Sequence, residues 1–483
     1  MYELMRRMVI GVVLVGLSLG LLAPTATARP EAAAIAEVVA ANLGPTRLPG
    51  VAVAVVRDGQ VLHTGGHGRD GRGEPLTDRT PMRIASLSKS FTALAVMQLV
   101  DAGRLRLDDP VTRHLPEFST ADPRSAQITV RQLLDHSSGL SDTTYPEAAL
   151  PQPRSLREAV AALRGARLAA APGQRHDYHN PNYWVAARVV EVLGGAPFSE
   201  HLARSVFAPL GMTTTVTVGN WRDPLPGLSD GHNRFLGVTW PKAEPDRFVA
   251  GSAGIVTTAV DLAKWLALHT GRAESPVLRR KRLEELHEIS SPDAHYALGW
   301  DRPDVYGEPR QIAHTGSSFT STASMVVLPD SRYGIALMSN SRMPLEADTE
   351  AIMEDLVALT RGAPPGGDRL PLALIADLVV LAVALLIAVV GVRAARRAQL
   401  WARGRANSPA WHTALRFLPW LLPLLTLVFL PRALELLTGG RGVTFLLLSH
   451  IWPTSLAALG LIAATGLAIV TARLLALTRL RRA

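Results

Sequence analysis

The spacing of hydrophobic residues changes along the chain and predicts a domain of mixed strands and helices. Residues 49–66 alternate around Asp58-Gly59, a pattern typical of a β-hairpin. Residues 88–105 repeat apolar positions at helical spacing, which predicts a buried amphipathic helix. Residues 321–340 predict two more strands around Pro329-Asp330. Strands at both ends with helices between them predict one sheet whose edges come from distant parts of the sequence.

Shorter apolar segments predict further helices between these strands. Residues 128–140 predict a short helix that closes in a Ser-Ser-Gly turn, and residues 183–195 and 258–271 predict helices that end at glycine. The sequence shows no repeat with a period of 20–50 residues, so a solenoid or propeller is not expected.

The C-terminal quarter of the chain has a different pattern, with three apolar segments. The segments 370–392, 414–437 and 443–470 are each long enough to cross a bilayer, and prolines interrupt the second one. Arginines cluster directly after the first segment and again at the end of the chain. Three spans place both clusters on the cytoplasmic side, as the positive-inside rule requires, and leave the preceding domain outside.

The N-terminus supports the same orientation. Arg6-Arg7 precede an apolar run at 8–22 and the small-residue sequence Ala26-Thr27-Ala28, which together predict a signal peptide over 1–28. An uncleaved anchor is the alternative, and it also places the next domain outside the cytoplasm. The predicted organisation is a signal peptide (1–28), a soluble domain (29–362), a Pro/Gly linker (363–369) and a membrane segment with a basic cytoplasmic loop and tail (370–483).

Charge and composition exclude several classes of function. The net charge is +9, but residues 370–483 carry +10 and the remaining residues −1, so the expected charged partner is a lipid bilayer and not a nucleic acid. The absence of cysteine excludes disulfides, thiol catalysis and zinc–thiolate sites. We find no H-E-x-x-H, G-x-G-x-x-G or P-loop motif and expect no metal or cofactor; His176 and His179 are interpreted as loop residues.

One short stretch suggests chemistry. The chain uses arginine for almost every cation, yet Lys89 follows Ser86 by three residues at the start of the predicted helix. Residues three apart lie on one helix face, so the amine can reach the serine hydroxyl. To act as a base, the lysine needs a pKa lowered from about 10.4 to near 7, a change worth about 4 kcal/mol. Arginine cannot lose its proton in this range, which explains the choice of lysine.

Two further motifs accompany this pair. Tyr178 and Asn180 stand two residues apart in a predicted loop, where a phenol and an amide can share one cleft. His314-Thr315-Gly316 leads into a predicted strand with small residues at its edge. Such an edge lets a substrate lie alongside and leaves an N–H free to bind an oxyanion. Each motif is weak by itself.

Taken in order, the three motifs resemble those of the penicillin-recognising serine hydrolases. The resemblance is strongest to the branch of class C β-lactamases and D-Ala-D-Ala carboxypeptidases, and it extends over residues 35–345 through "ITVRQLLDHSSGL", "VFAPLGMTTT", "AGSAGIVTTAVDLAKWL" and "YALGW". It implies an α+β fold, in which an antiparallel sheet is flanked by helices and accompanied by an all-helical domain. The resemblance does not include the C-terminal segment.

The resemblance also implies a role for each motif residue. Ser86 would be the acylated nucleophile, Lys89 its proton partner and Tyr178 the general base and acid. The residues that would bind substrate are Asn180, His314, Thr315 and Gly316. The backbone N–H groups of Ser86 and Ser317 would form the oxyanion hole.

One residue departs from the β-lactamase pattern. This branch usually has lysine at the position of His314, and a histidine is only partly charged near neutral pH. The departure favours peptidase and esterase relatives over efficient β-lactam hydrolysis. A serine hydrolase acting on a small-molecule or peptide substrate is therefore expected, with peptidase, esterase and weak β-lactamase activities left open. The alternative is a non-catalytic binding or sensing module coupled to the membrane spans.

Overall fold

The computed structural model describes residues 32–290, 295–303, 310–342, 347–366, 371–405, 407–437 and 443–482. The predicted signal peptide lies outside the described residues. The chain divides into two compact units. The larger unit contains the residues before 234 and from 240 to the linker, and the smaller contains residues 234–239 and the apolar C-terminal helices.

A five-stranded antiparallel sheet forms the centre of the larger unit. Its strand order is β2-β1-β10-β9-β8, so both edge strands come from distant parts of the sequence, as predicted. The strands of this sheet are β1 (Gly50–Arg57), β2 (Gln60–Gly68), β8 (Ile312–Ser317), β9 (Thr322–Leu328) and β10 (Tyr333–Ser339).

Both predicted hairpins are present in the sheet. Asp58 and Gly59 have φ values of 52° and 76°, so the tight turn between β1 and β2 has left-handed backbone at both central positions. β1 differs from the predicted alternation because seven of its eight residues are buried. The reason is that β1 is an interior strand, paired with both β2 and β10, and helices pack against the sheet.

Five shorter strands form two small sheets. β3, β7 and β4 pair in that order, and β5 pairs with β6. They are β3 (Met82–Arg83), β4 (Val216–Thr217), β5 (Gly231–Phe235), β6 (Val238–Lys242) and β7 (Ile255–Thr257).

Helices of the larger unit pack on the sheet and form a helical region next to it. The predicted helix at 88–105 is α2, which begins at Ser88 and ends at Asp101, and it is buried on nearly all sides instead of along one stripe. Its side chains join one large core that continues into α6 and α8. The α-helices are α1 (Ala32–Thr46), α2 (Ser88–Asp101), α3 (Val111–His114), α4 (Val130–Leu134), α5 (Leu156–Ala162), α6 (Pro181–Gly194), α7 (Phe198–Leu202), α8 (Ala259–Thr270), α9 (Arg280–Glu285) and α10 (Ala347–Thr360).

The smaller unit contains three helices that are long and apolar enough to cross a membrane: Leu372–Arg396 (α11), Leu418–Leu437 (α14) and Pro453–Arg482 (α16). They correspond to the three predicted spans, and Pro423 and Pro431 lie inside α14. In this unit the carboxylate of Asp377 is buried and accepts a hydrogen bond from the Trp452 indole at 2.7 Å. The shorter helices between them are α12 (Ala398–Arg403), α13 (Ala410–Leu415) and α15 (Phe445–Ile451).

Candidate active site

Ser86 lies in a single 3₁₀ turn, Ala85–Leu87, that leads into α2. It is the only side chain between residues 84 and 97 that is not buried. Ala85 has φ = 43°, a left-handed conformation that costs about 1–3 kcal/mol for a residue other than glycine. Ser88 holds this turn, because its hydroxyl donates to Ala85 O at 2.6 Å and accepts from Ile255 N at 3.0 Å. The fold thus presents one hydroxyl from an otherwise buried segment.

Lys89 contacts Ser86, as the three-residue spacing predicts. The lysine is fully buried, and its Nζ donates to Ser86 Oγ (3.1 Å), Asn180 Oδ1 (2.9 Å) and Ser252 O (3.0 Å). Three acceptors match the three N–H groups of an ammonium, and a charged lysine would stabilise negative charge on Ser86 Oγ. A neutral Lys89 would keep two of these contacts and turn its lone pair towards Ser86, which is the form a base requires.

Asn180 connects the lysine to the helical region. It stands directly before α6, a position where asparagine often caps the helix, but its side chain makes no capping bond. Its Oδ1 instead accepts from Lys89 Nζ, and its Nδ2 donates to Glu147 Oε1 at 3.0 Å. The amide is therefore oriented from both ends.

Tyr178 lies over the lysine. Its ring centroid is 4.7 Å from Lys89 Nζ and 4.3 Å from the ring centroid of His136. His136 is fully buried, and its Nδ1 accepts from the backbone N–H of His179 at 3.2 Å and from Asn182 Nδ2 at 3.1 Å. Burial lowers the pKa of His136 well below 6.5, so this ring supports Tyr178 as a neutral group.

β8 passes directly against the Ser86 turn. A Cβ atom on Gly316 would lie 2.3 Å from Ile84 O and 3.0 Å from Ser86 N, so only glycine allows this approach. The contact places the end of β8, and with it Ser317, next to the serine. Thr315 is exposed on this strand, whereas Gly316 and His314 are buried.

His314 does not present a charged group to a substrate. Its Nε2 is 2.8 Å from the hydroxyl of Tyr296, and its Nδ1 is 2.6 Å from Thr315 O. This pattern assigns the ring proton to Nδ1 and the role of donor to the tyrosine. Burial, and then the charge of Lys89, lower the pKa of His314 to about 3. The expectation of a partly charged histidine is thus replaced by a neutral one.

A buried group next to Asn180 was not predicted from the sequence. Glu147 Oε1 accepts from Asn180 and from Arg247 Nη2 (2.9 Å), and the glutamate is almost fully buried. Burial alone would raise its pKa, but contacts with His179 and Asp142 and the charge of Arg247 hold that pKa well below 4.5. His179 lies in a loop, as predicted, yet it is buried within this group. No spacing in the sequence indicates these contacts.

Glu244 is a second buried carboxylate that the sequence did not indicate. It accepts from Phe319 N (3.1 Å), Thr320 N (3.0 Å) and Thr320 Oγ1 (2.7 Å), and also from Ser318 Oγ. These donors form the turn that directly follows β8. Glu244 therefore fixes the chain immediately beyond Ser317.

Comparisons with known proteins match most of the larger unit. The protein-family model described as Beta-lactamase matches residues 35–360. Protein flp from Staphylococcus aureus (strain COL) is 25% identical over 312 residues, which cover 62% of this chain and 61% of that protein. Penicillin-binding protein 4 from Amycolatopsis lactamdurans is 28% identical over 330 residues, covering 64% of this chain and 84% of that protein. The chain thus spans about three fifths of the length of the Staphylococcus relative.

Solved structures show the same fold. The octameric penicillin-binding protein homologue from Pyrococcus abyssi has a TM-score of 0.60 at 24% identity, covering 72% of this chain and 80% of that chain. The D-amino acid amidase from Ochrobactrum anthropi complexed with D-phenylalanine has a TM-score of 0.53 at 27% identity, covering 66% and 98%. The D-alanine carboxypeptidase AmpC from Burkholderia cenocepacia has a TM-score of 0.54 at 21% identity, covering 67% and 97%. The predicted antiparallel sheet with flanking helices is confirmed.

Proposed function

Because the chain belongs to the beta-lactamase family, we propose that it is a serine hydrolase that cleaves an amide or ester bond through an acyl-enzyme on Ser86. The observation that carries the proposal is the 3.1 Å contact between Lys89 Nζ and Ser86 Oγ, with Asn180 on the same lysine. A lysine buried among three acceptors beside a partly exposed serine suits nucleophilic catalysis. A binding module would have no use for this arrangement.

In the proposed reaction, Ser86 Oγ attacks the carbonyl carbon of the substrate and forms a tetrahedral intermediate. The hydroxyl proton passes to the Lys89–Tyr178 pair, which then protonates the leaving amine or alcohol as its bond to carbon breaks. Water attacks the carbonyl carbon of the resulting ester and loses a proton to the same pair. The bond between that carbon and Ser86 Oγ then breaks, the pair returns the proton to Oγ, and the acid is released. The backbone N–H groups of Ser86 and Ser317 would bind the oxyanion.

The proposed substrate class follows from the charges in the site. His314 is neutral and bonded to Tyr296, so it supplies no positive charge for a substrate carboxylate. Asn180 and Thr315 are the proposed contacts to the substrate amide and backbone. The likeness to a D-amino acid amidase supports amides or peptides of D-amino acids as the first candidate, with esters second and β-lactams last.

We further propose that the hydrolase domain, over residues 29–362, is extracytoplasmic and tethered by three membrane spans after the 363–369 linker. The three long apolar helices support this, together with the arginines that follow α11 and end the chain. Because the chain has no cysteine, single cysteines can test the topology. A membrane-impermeant maleimide should label Ser199→Cys in intact cells and Asn407→Cys only after lysis. The reverse pattern would refute the orientation.

A hydrolysis panel with the full chain in detergent tests the activity. D-phenylalanine amide, p-nitrophenyl butyrate and nitrocefin would each be offered to the wild type and to Ser86→Ala and Ser199→Ala. Ser199 is an exposed serine and serves as the matched control. We expect turnover of the amide or the ester, a loss of about 1,000-fold or more in Ser86→Ala and no change in Ser199→Ala. Equal rates in the wild type and Ser86→Ala would reject the proposal and favour the non-catalytic module.

A further inference from the structure

Three side chains converge next to Asn180 without taking part in the proposed chemistry. One donor atom each from Asp142, Glu147 and His179 lies within 4.8 Å of the others. His179 Nε2 is 3.5 Å from Asp142 Oδ1 and 3.5 Å from Glu147 Oε2. The side chains of His179 and Glu147 are 0% and 4% exposed and that of Asp142 is 14% exposed, so the group is largely buried and reaches solvent at Asp142.

The two oxygens of Glu147 have different surroundings. Oε1 accepts from Asn180 Nδ2 and Arg247 Nη2, whereas Oε2 has no hydrogen-bond partner among the described residues although it is buried. A buried carboxylate oxygen without a donor is costly. Metal-binding carboxylates commonly use one oxygen for orienting hydrogen bonds and the other for the ion. Oε2 faces the point where Asp142 and His179 also converge.

The distances within the group fit a cation better than hydrogen bonds. Separations of 3.5 Å exceed the usual range for N–H···O bonds. Ligands bound tetrahedrally at about 2.1 Å from a metal are about 3.4 Å apart. His179 Nε2 also lies 3.0 Å from the carbonyl oxygen of Tyr145, a hydrogen-bond distance. To bind a metal, Nε2 would give up the proton of that bond, and the carbonyl oxygen would then be available as a further ligand. One imidazole with carboxylate and carbonyl oxygens is a donor set suited to Zn²⁺.

We propose that Asp142, Glu147 and His179 bind a divalent transition-metal ion, and that Zn²⁺ fits the site best. The bound ion fixes Glu147, and Glu147 in turn holds Asn180 against Lys89. The ion is thus a structural support for the active site and does not contact the reacting atoms. This inference does not depend on the identity of the substrate or on hydrolysis.

Metal binding by the full chain in detergent tests the proposal. The protein is stripped with a chelator, dialysed against Zn²⁺ alone at low micromolar concentration and measured by elemental mass spectrometry. We expect about one zinc per chain in the wild type and a rise in the unfolding midpoint on adding Zn²⁺. Asp142→Asn and His179→Gln should weaken binding about 100-fold or more, since each replaces a strong ligand by a neutral amide. His176→Gln, a histidine of the same loop outside the group, is the matched control and should bind like the wild type.

Two results would overturn the proposal. One is a wild type that binds no zinc and whose unfolding midpoint does not change when zinc is added. That result would mean that His179 donates to Tyr145 O and that the carboxyl groups of Asp142 and Glu147 share a proton. The other is zinc retained equally by Asp142→Asn and His179→Gln, which would place the ion elsewhere. Asp142→Asn keeps the shape of the side chain. The unfolding midpoint of this variant without metal shows whether the variant folds. Zinc binding is measured without any assay of hydrolysis. An inactive protein that binds zinc would therefore contradict only the proposed hydrolysis.

Discussion

Glu244 offers a sharp test of how the turn after β8 is held. Its carboxylate is 1% exposed and accepts from two backbone N–H groups, those of Phe319 and Thr320, and from the hydroxyls of Ser318 and Thr320. Thr320 N also lies 3.3 Å from Ser318 Oγ, a weaker second acceptor within the same turn. Replacing Glu244 by alanine removes all four bonds at once. The turn adjoins Ser317, so its displacement should also disturb the proposed oxyanion hole.

The expected loss of stability can be worked out from these bonds. A hydrogen bond contributes about 0.5–1.5 kcal/mol to the free energy of unfolding, so the four bonds together contribute about 2–6 kcal/mol. The Ser318 hydroxyl keeps a partner, since it also lies 2.7 Å from Ser321 Oγ. We therefore expect Glu244→Ala to lower the free energy of unfolding by about 4 kcal/mol. Glu244→Gln keeps one acceptor oxygen and should lose about half as much.

Urea unfolding of the full chain in detergent, followed by tryptophan fluorescence, measures this loss. Glu274→Ala is the matched control, because Glu274 is exposed and should change the unfolding free energy by less than about 0.5 kcal/mol. The rate of Ser86 acylation should fall about tenfold or more in Glu244→Ala, assayed on protein that is still folded. A Glu244→Ala variant with the stability and acylation rate of the wild type would refute the reasoning.

Two further predictions concern the same site. Gly316→Ala should slow Ser86 acylation about 100-fold because the new Cβ would lie 2.3 Å from Ile84 O. Gly44→Ala is the control and should not slow acylation, since Gly44 has open space around it. Equal acylation rates in the two variants would contradict the close approach of β8. Burial is the main reason that the pKa values of His314 and His287 are lowered to about 3. Below pH 6.5 these histidines take up protons in the unfolded chain but not in the folded chain, so the free energy of unfolding falls. The loss of stability between pH 6.5 and 5, measured by urea unfolding, should therefore be about 1.6 kcal/mol smaller in His287→Gln than in the wild type. An equal loss in both proteins would exclude a contribution from His287.

The sheet and the serine–lysine pair could be predicted because local rules determine them. Asp58-Gly59 favours a tight turn whatever surrounds it, and helix geometry alone brings Ser86 and Lys89 together. The burial of β1 on both faces could not be predicted. Its alternating pattern carries no information about which helices cover the second face.

The supporting residues of the site could not be predicted because each acts across a long stretch of chain. Glu147 reaches Asn180 over 33 residues, Tyr296 reaches His314 over 18, and Glu244 reaches its turn over more than 70. Single carboxylates and tyrosines in loops have no periodic pattern, and only the packed fold shows which of them are buried. The motif residues were found through the resemblance, which supplied the long-range order that spacing alone does not.

The mass of the peptide that contains Ser86 tests most directly whether Ser86 is the nucleophile. The full chain in detergent is mixed with p-nitrophenyl butyrate or, in parallel, with benzylpenicillin, quenched in acid and digested. We expect an acyl group on Ser86 with at least one of these donors and no adduct on Ser86→Ala. An unmodified Ser86 with both donors in a folded protein, or an adduct on another residue, would contradict it.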